Sequence, residues 1–423
     1  MKKPKVLVVG INPWIDNTGI NTLINFFSDW GKEELAHIYT RERLPYTKIC
    51  DRFFRISETA VIRSVYKRRT VTGEEVCNTP NTAKTATENK YYNGKRSHLK
   101  SFIRELIWLF GGWKSKKLRT FLDSYSADVL FFPIYSNVYM CRLQNFICKY
   151  TGKPCVLYIS DDNYSYKPVE KNPISLFLRF WLRTQEKKLF KAASKVLVIA
   201  PKQKDEYDRI FGVNSEVLTK GIDFSEIPYE EKPVNFPIKM VYTGKLIIGR
   251  WKSLAAIAKA LNKINENGVK AELDIYTTDT LTEEQDKALN FGGCKVKGSL
   301  TLEEVQHVQK QADILVFVES LENKYKNAAR LSFSTKITDY LKNGKCIFAI
   351  GDKDIAPIDY FNRYDSAVTA SSYEEIGEKL IWLINSSEKI TEYSKKAYEC
   401  GKEHHDKEKM DKVLYDAIFN AAE

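Results

Sequence analysis

The chain lacks long apolar runs. Nowhere in its 423 residues is there a stretch of the roughly 20 apolar residues that a membrane-spanning helix needs. The apolar run Lys5–Gly10 is too brief for the core of a signal peptide, and its β-branched residues predict a first strand instead. We therefore expect a cytoplasmic protein rather than an integral membrane or secreted one.

The cysteines lack the spacing of a metal or redox site. Eight are scattered along the chain and no two form a C-x-x-C pair, while several lie inside apolar runs, as buried thiols do. This pattern is typical of free thiols in a reducing compartment.

The sequence has an excess of positive charge. A formal net charge of +12 indicates an anionic partner, which could be nucleic acid, an anionic membrane surface or a phosphorylated substrate. Neither zinc-finger spacing nor an RNP-like strand accompanies the charge. Nucleic-acid binding therefore rests on charge alone, and we expect no nucleic-acid partner.

Strand and helix patterns alternate along a chain long enough for two domains. Lys5–Gly10, the polar loop Asn12–Gly19 and the amphipathic helix that follows make a βα unit, without the G-x-G-x-x-G fingerprint of dinucleotide binding. A polar, basic stretch at about residues 60–100 predicts a surface insertion, and the charged, proline-bearing residues 230–237 predict a linker. No internal repeat is visible.

The segment Ser101–Phe110 has the pattern of an amphipathic helix, and Lys114, Lys116, Lys117 and Arg119 follow it closely. A basic helix with an aromatic and aliphatic face can lie on an anionic bilayer. The same pattern is typical of a helix that packs on its own α/β domain and leaves its lysines in solvent.

Two acidic residues, Asp161 and Asp162, directly follow the strand-like run Pro154–Ser160. The carboxyl ends of parallel strands are where α/β sheets bind ligands, so both residues are candidates for function. An aspartate that caps a loop or a helix is an equally common alternative.

Cations also lie in a predicted strand-to-helix turn of the second half, at Lys245 and Arg250. Such a turn suits a pyrophosphate, because the cations neutralise its charge and an arginine can donate two hydrogen bonds to it. The alternative is a pair of solvated surface charges.

The stretch Phe333–Gly351 combines a polar loop, a short helix and a buried strand. Ser334, Thr335 and Lys336 lie at the helix N-terminus, where unpaired N–H groups and the helix dipole favour an anion. The alternative is an ordinary surface loop before a helix of an α/β domain.

Several segments together resemble the retaining GT-B glycosyltransferases of family 4. Ser334–Cys346 is similar to the family form S-[ST]-K-x-x-E-Y-L-x-x-G-K-P, with Asp339 at the Glu position. The segment Gly244–Trp251 resembles G-R-L-x-x-x-K-G with its two cations exchanged. Lys195–Asp223 resembles the strand, helix and N-G-V-D motif that precede the interdomain linker.

The resemblance covers nearly the whole chain and implies its architecture. We expect an α/β fold of two Rossmann-like, doubly wound domains that face a central cleft. The implied divisions are an acceptor-binding domain at residues 1–232, a nucleotide-sugar donor domain at 233–390, and C-terminal helices at 391–423 that cross back to the first domain.

The resemblance also implies site residues and no metal or other cofactor, since fixed cations and oriented N–H groups can stabilise a departing diphosphate. One departure concerns the family's Glu-x7-Glu pair, whose first position is Leu331 here, with Glu319 or Glu322 as candidate substitutes. The implied residues are Asp161, Asp162 and Asp339 for catalysis, Lys245, Arg250, Ser334, Thr335 and Lys336 for donor binding, and Asn17, Thr18 and Gly19 in the acceptor-side loop.

The function implied is a hexosyltransferase that uses a UDP- or dTDP-type donor and a lipid-linked or polysaccharide acceptor, with retention at the anomeric carbon. The resemblance places it in capsule, exopolysaccharide or other surface-glycan biosynthesis, peripheral on the anionic inner face of the membrane. The alternative is a non-catalytic or epimerase-like protein on the same scaffold, which the absence of the first carboxylate, at Leu331, keeps open.

Overall fold

A computed structural model shows two compact units, each built on a mainly parallel β-sheet. The first unit runs to Ile199 and also contains Lys204–Leu218 and Asp411–Glu423. The second contains Ala200–Gln203 and Thr219–Met410. The residues that the structure describes are 3–16, 22–67, 69–78 and 97–423.

Among the residues that the structure describes, eight strands form the sheet of the first unit. They are β1 (Val6–Val9), β2 (Leu35–Tyr39), β3 (Arg52–Arg55), β4 (Glu74–Val76), β5 (Val129–Ile134), β6 (Cys155–Ile159), β7 (Ala193–Val198) and β8 (Glu216–Val217). Their order across the sheet is β4-β3-β2-β1-β5-β6-β7-β8, and every neighbouring pair is parallel except β3 with β4.

Helices alternate with the strands of the first unit along the chain. Within the described ranges they are Thr22–Phe26, the short 3-10 turn Lys32–Glu34, Glu58–Tyr66, His98–Phe110, Lys116–Tyr125, Val138–Thr151 and Pro173–Ala192. The helix Pro201–Phe211 begins with residues of the second unit and ends in the first.

Six parallel strands form the sheet of the second unit. They are β9 (Ile238–Thr243), β10 (Ala271–Tyr276), β11 (Cys294–Gly298), β12 (Ile314–Val318), β13 (Cys346–Ile350) and β14 (Val368–Ala370). The order across the sheet is β11-β10-β9-β12-β13-β14. The helices are Arg250–Ile264, Glu283–Leu289, Leu302–Gln311, Asn323–Ala329, Thr335–Lys342, Ala356–Arg363, Tyr373–Ile384 and Ser387–His404, and Lys407–Ala422 begins here and ends in the first unit.

The central strands are buried along their whole length. Every residue of β1, β2, β5 and β6 in the first unit, and of β12 and β13 in the second, is shielded from solvent. Parallel strands with helices on both faces require such continuous apolar runs. The predicted α/β class with two doubly wound parallel sheets is therefore confirmed.

The chain changes from the first compact unit to the second at Leu218 and Thr219. The functional division between residues 232 and 233 stays a prediction. Part of the predicted insertion at 60–100 belongs to an ordered element. The helix Glu58–Tyr66 extends into it and buries Val61 and Ser64. Residues 79–96 of that insertion lie outside the described residues.

No helix in the described ranges is both long and apolar enough to cross a bilayer.

The most enclosed carboxylate of the first unit, Glu186, lies on the helix Pro173–Ala192 with 1% of its surface exposed. Neither of its oxygens has a hydrogen-bond partner in the described part of the chain. Burial raises the pKa of Glu186 from its ordinary value of 4.5 to about 8.

We predict that Glu186 makes the first unit less stable as the pH rises. Between pH 4.5 and about pH 8 the unfolded chain releases this proton while the folded chain keeps it, so the free energy of unfolding falls through that window. The contribution is on the order of 4 kcal/mol. Glu186→Gln removes this titrating group. Urea unfolding at a series of pH values would therefore show that the free energy of unfolding falls less with pH in Glu186→Gln than in the wild type.

The exposed Glu272 supplies the matched control. Glu272→Gln should leave the pH dependence of the wild type unchanged. Equal slopes for all three proteins would show that Glu186 does not hold its proton in the folded state.

Candidate functional site

In the second unit, the loop 244–249 leaves β9 and turns into the helix Arg250–Ile264. Ile248 and Gly249 have φ angles of 59° and 73°. This left-handed conformation is rare for a β-branched residue such as Ile248. At Gly249 a side chain is excluded as well, because an added Cβ would lie 2.5 Å from Ser320 Oγ. Backbone strain of this kind persists only where the surroundings hold it, and it is concentrated at functional sites.

Arg250, the first residue of that helix, forms a two-pronged ion pair with Glu319. Arg250 Nη2 is 2.7 Å from Glu319 Oε1 and 3.0 Å from Oε2, and Arg250 Nε donates to Oε2 at 3.1 Å. Glu319 directly follows β12 and is buried. Its N–H donates to the carbonyl oxygen of Ile350 at 2.7 Å, which fixes the carboxylate at the carboxyl end of the sheet.

Lys336 is a second cation beside this pair, and it has no ion-pair partner in the described part of the chain. Its Nζ lies 5.6 Å from the centroid of the Tyr242 ring. Burial, together with the charge of Arg250, lowers the pKa of Lys336 to about 8. A methyl group at Gly244 would collide with Lys336 Nζ, so the glycine leaves the space that the ammonium group occupies.

Lys336 lies in the first turn of the helix Thr335–Lys342, at the helix N-terminus. Ser334 caps this helix, and its side-chain oxygen accepts a hydrogen bond from the N–H of Lys336 at 3.3 Å. The N–H groups of a first helical turn, with the helix dipole, favour an anion. Arg250, Lys336 and this helix start therefore form an electropositive site, in which Glu319 pairs with Arg250 and Asp279 acts electrostatically on both cations.

Comparison with solved structures identifies the architecture, although no protein-family model and no curated protein matches the sequence. HepE from Anabaena in complex with UDP and glucose aligns over 97% of both chains, with a TM-score of 0.60 and 11% identity. A glycosyltransferase from Rickettsia africae aligns over 98% of this chain and 99% of its own, with a TM-score of 0.56 and 11% identity.

A UDP-forming α,α-trehalose-phosphate synthase from Burkholderia vietnamiensis aligns over 99% of this chain and 98% of its own, at 8% identity and a TM-score of 0.58. Such similarity extends over both units. The chain has the GT-B fold. At these identities the comparison establishes the fold alone.

In this GT-B scaffold, the predicted donor-binding residues occupy one half of the molecule. Arg250 and Lys336 influence one another electrostatically, while Ser334 and Thr335 begin the helix that carries Lys336. Lys245 is exposed on the strained loop and has no ion-pair partner within the described ranges. The donor-binding role of all five stays a prediction.

Of the three predicted catalytic carboxylates, Asp339 belongs to the second unit. It lies in the middle of its helix, and its Oδ1 accepts from Lys220 Nζ at 2.8 Å. No described hydrogen bond or ion pair joins its side chain to Arg250 or Lys336. Leu331 is fully buried in the core. Glu319 and Glu322 are the two candidates to replace the carboxylate that is missing at Leu331, and Glu319 is the one that pairs with Arg250.

Asp161 and Asp162 belong to the first unit, after β6. Asp162 is buried and accepts from Ser165 twice, from the N–H at 2.9 Å and from Oγ at 2.6 Å. This is a local turn of the kind that an aspartate side chain commonly forms. Asp161 is exposed. Their catalytic role stays a prediction, and Asn17, Thr18 and Gly19 lie outside the described residues.

Sequence reasoning missed two residues of the site, Tyr242 and Asp279. Tyr242 lines the space of Lys336 and donates from its hydroxyl to the carbonyl oxygen of Lys245 at 2.7 Å. Asp279 accepts from the N–H of Leu246 at 2.6 Å and so braces the strained loop. Tyr242 lies in β9 next to its last residue, and Asp279 lies three residues after β10. Their closeness to the carboxyl ends of strands was the available signal. Among the described residues, no group of three or more His, Cys, Asp and Glu side chains is placed to share a metal ion.

We predict that Glu319→Gln destabilises the second unit by about 3 kcal/mol, because it removes the charged partner of a largely buried arginine that lies beside a second cation. Urea unfolding near neutral pH would measure the loss. The matched control is Glu322→Gln, which weakens ion pairs to the more exposed Lys252 and Lys324 and should cost less than about 1 kcal/mol. Equal losses in the two variants would contradict the role assigned to Glu319.

Proposed function

We propose that this protein is a glycosyltransferase that moves a sugar from a nucleotide-sugar donor of the UDP or dTDP type. The observation that carries the proposal is Lys336, a cation with no ion-pair partner among the described residues, held beside Arg250 at the N-terminus of the helix Thr335–Lys342. A diphosphate is the small anion that fits two cations and a helix start together. The GT-B fold, which it has in common with HepE solved in complex with UDP and with UDP-glucose, supports the same reading.

The chemistry we propose is stabilisation of the departing nucleoside diphosphate. As the bond between the anomeric carbon and the phosphate oxygen breaks, negative charge grows on that oxygen. Arg250 and Lys336, already in place, favour this charge without reorganisation and without a metal. We further propose retention at the anomeric carbon, as in the family 4 enzymes that the sequence resembles.

The wider setting is also a proposal. The acceptor would be lipid-linked or a polysaccharide and would bind the first domain, at residues 1–232, while the donor binds the second, at 233–390. We place the reaction in capsule, exopolysaccharide or other surface-glycan biosynthesis, in the cytoplasm at the inner face of the membrane. The resemblance in sequence and the excess of positive charge support this setting.

The second candidate is a non-catalytic or epimerase-like protein on the GT-B scaffold. The observation in its favour is Leu331, fully buried where a carboxylate is expected, together with the engagement of Asp339 by Lys220. An epimerase-like protein would bind a nucleotide sugar as a transferase does. They differ in that only a transferase releases the nucleoside diphosphate at a rate that depends on the acceptor.

We predict that one class of nucleoside diphosphate selectively raises the melting temperature of the protein. UDP, dTDP, GDP, ADP and CMP, each with its common sugars, would be compared. A ligand that binds only the folded state stabilises it by about 2.7 kcal/mol at a hundredfold excess over its dissociation constant. The shift should disappear in Arg250→Ala and Lys336→Ala and persist in Lys252→Ala, whose lysine pairs with Glu322 instead. No shift with any nucleotide would refute the proposed donor site.

We also predict that affinity for the donor falls as the pH rises through about 8, because Lys336 then loses its charge in the free protein. A nucleotide sugar is the suitable probe, since its diphosphate keeps its charge near neutral pH. Calorimetric titrations at several pH values should show that the affinity of the wild type falls more steeply with pH than that of Lys336→Met, which binds weakly at every pH. The same affinity and slope in both proteins would exclude Lys336 from the site.

A further inference from the structure

Three helices of the first unit lie side by side: Glu58–Tyr66, His98–Phe110 and Pro173–Ala192. His98–Phe110 is the middle helix. On one side it is joined to Glu58–Tyr66 by an ion pair, in which Arg104 Nε donates to Glu58 Oε1 at 2.8 Å.

On its other side the middle helix packs against the start of Pro173–Ala192. The rings of Phe102 and Phe177 meet edge to face with their centroids 6.1 Å apart. Ser175 Oγ lies 2.7 Å from His98 Nδ1. The three helices therefore form one continuous layer.

The middle helix turns an apolar stripe away from the protein. Its fully buried residues are Glu105 and Trp108. On the opposite side, Leu99, Ile103 and Phe110 are 54%, 45% and 71% exposed. Their spacing of four and seven residues places them on one side of a helix. The apolar face recognised in the sequence is therefore directed to solvent rather than into the domain.

Both neighbouring helices also expose apolar side chains. Ile62 and Tyr66 are 38% and 67% exposed on one of them, and Phe177 and Phe180 are 50% and 59% exposed on the other. Single apolar side chains on a surface are ordinary, but a group of this size on three adjoining helices marks a contact with another molecule or with a membrane.

Cations border the apolar group. Along Pro173–Ala192, the outward side that carries Phe180 continues with the exposed residues Lys187, Lys188 and Lys191. No acidic group of the described chain pairs with any of the three. The acidic residue of this helix, Glu186, lies on its buried side. The surface is thus apolar at its centre and basic at one end; we call it the apolar–basic face.

We propose that the apolar–basic face docks on an anionic lipid bilayer. Exposed aromatic and aliphatic side chains enter the boundary between headgroups and acyl chains, while the lysines meet acidic headgroups. A second copy of the chain would offer the same cationic charge to these lysines, which disfavours self-association. The inference rests on the proposed function only in that docking would bring the donor site to a lipid-linked acceptor.

Co-sedimentation with vesicles tests the proposal, using phosphatidylcholine alone and phosphatidylcholine mixed with phosphatidylglycerol. The wild type should bind the anionic vesicles and bind those of phosphatidylcholine much more weakly. Phe110→Ser/Phe180→Ser should weaken binding by at least about tenfold, since it removes two of the most exposed aromatic rings. Lys187→Glu/Lys191→Glu should weaken binding to a similar extent, and salt should weaken the wild type.

Each variant has a matched control in the second unit. Phe291→Ser/Trp382→Ser changes two rings of 45% and 43% exposure. Lys259→Glu/Lys263→Glu changes two exposed lysines with the same spacing on the helix Arg250–Ile264. Both controls should bind as the wild type does. Circular dichroism would establish that all four variants fold.

Two outcomes would overturn the proposal: no binding of the wild type to anionic vesicles, or equal loss in test and control variants. A third would as well, namely a wild-type dimer in sedimentation velocity that Phe110→Ser/Phe180→Ser converts to monomer, since the occupant would then be a second copy. Nucleotide binding on the same preparations separates this test from that of the donor site, because neither double variant alters the second unit.

Discussion

Two positive charges held close together, those of Arg250 and Lys336, are the interaction on which the site depends. Like charges in a partly buried space repel, and Glu319 forms an ion pair with only one of them. The fold holds this arrangement through a capped helix start, a sheet end and a strained loop. In the proposed donor site, a bound diphosphate would relieve this repulsion, and the repulsion is already present in the folded protein before the diphosphate binds.

The strained loop explains why small residues appear where they do. Gly244 leaves room for the ammonium group of Lys336, and Gly249 leaves room for Ser320. Between them Ile248 adopts a backbone angle that suits glycine better. The loop is therefore fitted between two separate parts of the chain, and its shape follows from contacts with both rather than from its own preferences.

The sequence predicted the fold well, because the signals for it are local. The buried run Cys346–Ile350, the helix capped by Ser334 and the βα alternation each depend on neighbouring residues. Partners distant in sequence were harder to foresee. Asp339 pairs with Lys220, which lies 119 residues away, and nothing near either residue in the sequence indicates this contact.

The exposed stripe on the middle helix is another feature that depends on contacts between distant segments. Its apolar periodicity was evident in the sequence, but periodicity alone does not tell whether another layer of protein covers the stripe. Coverage depends on how three helices from separate segments pack together. Glu186 is a further case, since a glutamate in a basic helix gives no sign in the sequence that its oxygens will be enclosed without partners.

The way the chain divides between its units has a consequence for dissecting the protein. Because the first unit includes both the start of the chain and Asp411–Glu423, and the second includes Ala200–Gln203 as well as Thr219–Met410, neither unit is one uninterrupted segment. Cutting the gene at a single point would leave each product with a missing piece. Separating the two halves therefore requires rejoining distant segments, as in a circular permutation.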